Sequence, residues 1–231
     1  MSTLLLRLAA PLMSWGVDSK FDRRGTERMP TKSGVVGLVA GAFGRRRDES
    51  LDDLTTLRFG VRLDREGLLL RDYQTAKSEK SAYVTQRFYL ADAVFLVGLE
   101  GDEELLTQVD YALRHPAFPL FLGRRSCPPE GRVSLGIRPG VSLLQALQTE
   151  PWLAAERRNT AKDTKLRIVL DAAPQDNAVF QRDLPISFNQ EHRQYGFRRI
   201  SEAGAVAVPG RNRCQAEPPT THNPMQELEE E

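Results

Sequence analysis

The 231-residue chain is 40% hydrophobic and 27% charged, enough for one compact domain or one domain plus a sizeable insertion, and no window approaches the roughly 18 apolar residues of a membrane span. Its two cysteines, Cys127 and Cys214, exclude a Cys-rich zinc module and fit a reducing compartment. The formal charge of +1 hides an asymmetry: Glu217–Glu231 carry five glutamates and no Lys or Arg, and without them 32 basic side chains, 26 of them Arg, face 26 acidic ones. Arg is the better residue for bidentate phosphate contacts, so a nucleic acid is one candidate partner.

Met1–Arg7 runs straight into Leu4-Leu5-Leu6-Arg7-Leu8, a short buried strand, with no basic leader and no small-residue cleavage site. The expectation is a cytoplasmic protein. Residues 11–30 are rich in Arg, Asp and Gly and read as a loop. Pro30-Thr31-Lys32-Ser33 opens a helix, with Thr31 or Ser33 as N-cap, that continues to Phe43 and stops at Gly44. Gly34, Gly37 and Gly41 share one face of it. Each costs about 1 kcal/mol relative to Ala, so a close neighbour is expected there.

Leu57–Leu63 alternates as a half-buried strand, and residues 64–90 interleave rings with cations in the manner of a long hairpin arm. Ala93–Leu99 is a central strand. Asp102-Glu103-Glu104 starts a helix whose apolar stripe is Leu106, Val109 and Leu113 and which ends at Pro116. Pro119–Leu122 reads as a fourth strand, Leu143–Leu147 and Trp152–Ala155 as short helical pieces, and Lys165–Leu170 as a further strand. The predicted fold is α+β, a ferredoxin-like (RRM-like) β-α-β-β-α-β core with an inserted β-hairpin thumb and a small C-terminal extension. Its expected divisions are a core over 1–130 that includes the thumb at 64–91, an extension over 131–208, and a disordered acidic tail over 209–231.

Phosphate chemistry has two candidate stations. Gly123-Arg124-Arg125-Ser126 combines close backbone approach, two guanidinium forks and a hydroxyl, although a solvated Arg pair would look the same. Thr31-Lys32-Ser33 sets a cation and two hydroxyls at a helix start, where free amides favour anions, but it lacks the spacing of a nucleotide-binding P-loop. In the arm, Arg71, Tyr73, Lys77, Lys80, Tyr83, Arg87, Phe88 and Tyr89 offer stacking surfaces and cations to an unpaired strand, or simply make an exposed hairpin. Trp15 suits packing better than ligand stacking. Cys127 has no adjacent general base and reads as a small apolar residue. His115, at a helix end, and His192, in a polar segment, are the histidines open to a metal-independent ribonuclease reading; no known hydrolase or metal motif accompanies them. No cofactor is expected.

Five stretches together resemble one family. Arg7–Gly16 is similar to its "RLxGPxxxWG" signature, with Ala10 where the family has Gly, and Pro30–Leu38 to its "PTRSGLLGL" helix start. Arg71–Thr75 resembles "RDYHT", Tyr89–Ala93 resembles "YLxDA", and Leu122–Pro128 matches "LGRRSCP" in full. The family is CasD, the RAMP-superfamily subunit of the type I-E CRISPR Cascade that binds the 5′ handle of crRNA, and the likeness covers residues 4 to about 130.

The resemblance implies a non-catalytic RNA-binding and assembly subunit of an antiviral ribonucleoprotein. Its partners would be the crRNA 5′ handle, the backbone subunit touched by the thumb, the large PAM-reading subunit and, as a further candidate, target DNA; none is a membrane. The implied RNA contacts are Lys32 and Ser33, with Arg28 nearby, then Gly123, Arg124, Arg125 and Ser126, with Trp15 and Tyr73 stacking or shaping the pocket and Arg87 in the thumb. The alternative is a metal-independent endoribonuclease that processes precursor crRNA, as in type I-C relatives, but their Tyr/Lys/His set has no counterpart here.

Overall fold

Leu4, Leu6 and Leu8 bury in one hydrophobic cluster and Leu5 in another, as do Phe95, Val97 and Leu99 against Leu96. Successive strand residues point to opposite faces, so a continuous apolar run means that both faces are covered. The computed structural model describes residues 1–16, 22–77, 81–154, 165–189 and 191–207. In chain order these form β1 (Ser2–Ala9), β2 (Leu12–Met13), β3 (Arg23–Arg24), α1 (Lys32–Ala42), α2 (Asp52–Thr55), β4 (Arg58–Arg65), β5 (Leu68–Lys77), β6 (Ala82–Ala91), β7 (Val94–Gly101) and α3 (Glu103–Arg114). They continue with β8 (Ser134–Arg138), α4 (Leu143–Thr149), β9 (Lys165–Asp171), β10 (Val179–Ser187) and β11 (Gln194–Ala207).

The architecture is α+β and mostly antiparallel. A seven-stranded sheet has the order β10-β11-β9-β4-β7-β1-β8, with every neighbouring pair antiparallel. The larger cluster packs α1 and α3 on one face, and α4 covers the other. Gly60 and Gly98 are partners across β4 and β7, and a Cβ on either would meet Leu170 or Leu143 at 2.5 Å, so this pair lets α4 and its leucines sit close to the sheet. β5 and β6 form an unbroken antiparallel hairpin from Leu68–Ala91 to Lys77–Ala82, and β6 also pairs with β2 and β3, giving a second, four-stranded sheet at the base of the arm. Among the described residues no helix is long and apolar enough to cross a membrane.

Two expected elements are corrected. Pro119–Leu122 is not a strand: Leu122 spends its backbone on a turn, donating to Cys127 O at 2.7 Å and accepting from Ser14 N at 3.1 Å. The partner of β1 on that side is β8, so residues 134–138 belong to the same sheet as the first 130 residues. Trp152–Ala154 is a turn after Pro151 rather than a helix, and the indole Nε1 donates to Asp64 O at 3.0 Å. β10 and β11 lack a clean period-2 pattern because their pairing is interrupted by irregularities at Gln181/Leu184 and Pro185/Ser187. Residues 208–231, including the acidic tail, lie outside the described residues.

Candidate nucleic-acid interface

The turn that carries the two arginines is built from its own backbone. Cys127 N donates to Arg124 O at 2.9 Å, and Gly123 takes φ +84°, a conformation that L side chains rarely adopt. A Cβ at Gly123 would lie 1.6 Å from Ser14 O, so only glycine lets the chain leaving β1 touch the turn. Beside it Thr31 caps α1, its Oγ1 accepting from Gly34 N at 3.2 Å, while Ser33 Oγ lies 3.4 Å from the same oxygen. The glycine face of α1 meets three different surroundings. A Cβ on Gly34 would come within 2.8 Å of Trp15 Cε3, one on Gly37 within 3.5 Å of Phe188, and one on Gly41 would meet nothing within 4 Å.

A groove of about 780 Å³ follows this face. Ser14, Trp15, Thr31, Ser33, Gly123 and Arg125 line it, together with Phe188, Arg193 and Tyr195, and Arg45, Arg46 and Arg47 join it beyond the C-terminal end of α1. The arginine turn and the start of α1 therefore open onto one groove.

The predicted residues divide sharply. Arg125 is exposed on the groove with no partner among the described residues, and Ser33 and Gly123 line it. Trp15 is 1% exposed, so its ring shapes the wall and is not available for stacking; its Nε1 has no hydrogen-bond partner among the described residues. Lys32 is the principal correction. It is buried, its Nζ sits 3.2 Å from Asp171 Oδ2, and its backbone N donates to Asp183 Oδ2 at 2.9 Å. Arg198 completes the group, reaching Asp183 at 2.6 and 2.9 Å and Asp171 at 2.7 Å with its guanidinium over the Phe59 ring. Burial lowers the Arg198 pKa, but hydrogen bonds and charge from Asp183 and Asp171 outweigh it and raise the net value. The lysine thus compensates carboxylates behind the helix and offers nothing to an anion in the groove.

Arg124 lies outside the groove lining, with its Nη1 buried and unpartnered among the described residues. Its NH2 donates to Arg24 O at 2.9 Å and its guanidinium lies 4.4 Å from the Tyr89 ring centroid, so it straps the β3 loop to the base of the arm. Ser126 is exposed outside the groove lining, with Oγ 3.9 Å from Cys127 Sγ. Arg28 is exposed and without partner among the described residues, but it too is outside the lining. Tyr73, 60% exposed, and Arg87, whose Nε is buried without a partner among the described residues, belong to the arm and not to the groove. His115 Nδ1 is 3.2 Å from Tyr111 O at the end of α3, and His192 is exposed; neither lines the groove. Cys127 is 1% exposed, and burial pushes its thiol pKa up, which fits packing and not nucleophilic use.

A family model described as CRISPR-associated protein (Cas_Cas5) matches residues 3–201. The chain belongs to this family. It is 35% identical over 159 residues to the Escherichia coli (strain K12) protein "CRISPR system Cascade subunit CasD", covering 58% of this chain and 70% of that one. Among solved structures, "Crystal structure of Cas protein" aligns at TM-score 0.70 and 38% identity over 89% of this chain and 95% of that one. "CRISPR RNA-guided surveillance complex" aligns at TM-score 0.75 and 31% identity over 90% and 91%.

In this Cas_Cas5 family member several groove residues were not singled out by sequence reasoning. Arg193, Tyr195 and Phe188 come from the β10–β11 connection and the strand after it, and their only sequence signal was a polar segment around His192. Arg45-Arg46-Arg47 is a visible run just past Gly44, but nothing local says that it turns toward the glycine face. Arg45 is held by Asp53 and donates to Ser50 O at 3.0 Å. The side-chain hydrogen bond holds the Asp53 carboxyl below the usual carboxylate range and raises Arg45. Arg46 makes only a loose contact with Asp48 at 3.8 Å, and Arg47 and Arg193 have no partner among the described residues.

Proposed function

We propose that this chain binds the repeat-derived 5′ handle of crRNA in the α1 groove, without cutting it, as an assembly subunit of a Cascade complex in the cytoplasm. The observation that carries the reading is the groove itself: a capped helix start, a glycine-dependent turn and uncompensated arginines share one open channel with aromatic walls. Cations follow phosphates while rings accept bases, the pattern by which unpaired RNA is held. The names of the similar proteins, a Cascade subunit and an RNA-guided surveillance complex, support the same role.

The sheet order β8-β1-β7-β4, with α1 and α3 on one face, supports a ferredoxin-like core, and the β5–β6 arm suits a thumb that presses on a neighbouring backbone subunit. The large PAM-reading subunit, and target DNA with it, would meet the complex beyond the groove. Absence of the two histidines from the groove favours binding over cleavage. Arg125→Ala in the assembled complex should lower guide RNA content several-fold, and with the full chain it should reduce the slope of log affinity against log salt by about 0.7, the value for one single-strand phosphate contact. Unchanged guide content and slope would refute the reading, as would clean cleavage of repeat RNA in EDTA.

A further inference from the structure

The far end of the groove has chemistry that handle binding at the turn does not use. Resting on the RNA reading above, we infer that Arg46, Arg47 and Arg193 form a second phosphate-contact station, and that the unpaired strand runs from the Arg125 turn along the glycine face of α1 to reach it. Three observations carry this. Arg46, Arg47 and Arg193 are exposed on the same groove as Arg125, and among the described residues their only ion pair is the loose Arg46–Asp48 contact at 3.8 Å. Arg45, in contrast, is saturated by Asp53 and Ser50 and serves to fix the loop from which its two neighbours project.

The helix between the stations has 11 residues, or about 16 Å. That is room for up to about five nucleotides at the stacked spacing of roughly 3.4 Å, and fewer when bases are splayed apart. Gly41 is the third observation. Gly34 and Gly37 are explained by Trp15 and Phe188, whereas a Cβ on Gly41 would meet only open space within 4 Å. No packing requirement keeps it small, and it leaves the last turn of α1 open where that turn lines the groove. A backbone passing over the helix at that point needs that space. The carboxylates that follow the arginine run, Asp48 and Glu49, are engaged with Arg46 through the 3.8 Å contact and through its backbone N at 2.7 Å.

The test is fluorescence anisotropy of the full chain with a labelled, unpaired 12-nucleotide RNA matching the 5′ end of the guide, across a salt series. The Arg46→Ala/Arg47→Ala double variant should bind about tenfold more weakly at low salt, with the log–log slope reduced by about 0.7 for each phosphate lost; Arg193→Ala should act in the same direction. Gly41→Leu should weaken binding at least as much while its thermal midpoint equals or exceeds that of the unaltered chain, which separates a blocked groove from a damaged fold. If all three variants bind with unaltered affinity and slope while Arg125→Ala loses affinity, the second station is wrong and the handle reading stands. If Arg125→Ala is also without effect, the handle reading itself fails. A loss in the arginine variants with an unchanged salt slope, matched by equal loss of affinity for a labelled polyglutamate peptide, overturns the station in favour of an acidic protein partner.

Discussion

Arg124 and Arg125 are adjacent in sequence and opposite in use. The first is half-buried, donates to Arg24 O and stacks on Tyr89; the second projects into the groove with no partner among the described residues. Both side chains leave a turn that exists because Gly123 tolerates φ +84° against Ser14 O. Arg124→Ala should therefore destabilise the fold by about 1–3 kcal/mol, from lost charge-assisted hydrogen bonding and cation–π contact, and Arg125→Ala should change it by less than about 0.5 kcal/mol. Urea unfolding of the two single variants measures this directly. Equal midpoints would mean that Arg124 is not a strap, and the motif's two arginines could then be treated as one RNA-binding unit after all.

At the scale of elements, the segment after β8 is fastened to the sheet by one buried ion pair. Arg62, fully buried on β4, reaches Asp64 at 2.6 and 2.9 Å and donates to the carbonyls of Leu147 at 2.7 Å, Glu150 at 2.6 Å and Pro151 at 2.9 Å, which close the C-terminal end of α4. Asp64 also accepts from Leu153 N at 2.7 Å. Removing the cation leaves Asp64 charged, buried and unpaired, so Arg62→Ala should cost about 3–5 kcal/mol in chemical denaturation. A cost below about 1 kcal/mol would show that the α4 leucines alone hold the helix to the sheet. Nothing in Leu57–Leu63 announced this: an Arg in an alternating strand reads as its solvent face, and only α4, which covers that face, turns it into a core residue.

Across the whole molecule, Arg–carboxylate pairs at the surface tie neighbouring elements together: Arg45, just past α1, to Asp53 in α2, and Arg167 on β9 to Glu202 on β11. Asp53, bound by Arg45, and Glu202, bound by Arg167, both have carboxyl pKa values below the ordinary range because a guanidinium hydrogen-bonds the charged form. A depressed folded value means that the contribution to stability is present above the unfolded carboxylate pKa and is lost as pH falls through the lower folded value. Both pairs are solvent-exposed, so each contribution is small. The unfolding midpoints of the unaltered chain and of Asp53→Asn/Glu202→Gln should differ at neutral pH and converge in acid; a gap independent of pH would remove the pairs as its source.

The sequence by itself determined what depends on near neighbours. Apolar runs and alternation located β1, β4 and β7, a cap at Thr31 or Ser33 and the Gly44 stop bounded α1, and the Gly-Arg-Arg turn stood out as a candidate for phosphate contacts. Tertiary structure decided which of those groups remain free. Lys32 carries the same charge as Arg125, yet Asp171 and Asp183, brought behind α1 by strands more than 130 residues away, consume it. Likewise β8, not Pro119–Leu122, completes the sheet beside β1, and Arg193 joins Arg46 and Arg47 because β10 packs against α1 and carries the connection that follows it to the groove. Periodicity, caps and turns are local energies written within a few residues, whereas the pairing of a buried charge is settled by whatever the packed chain delivers to it.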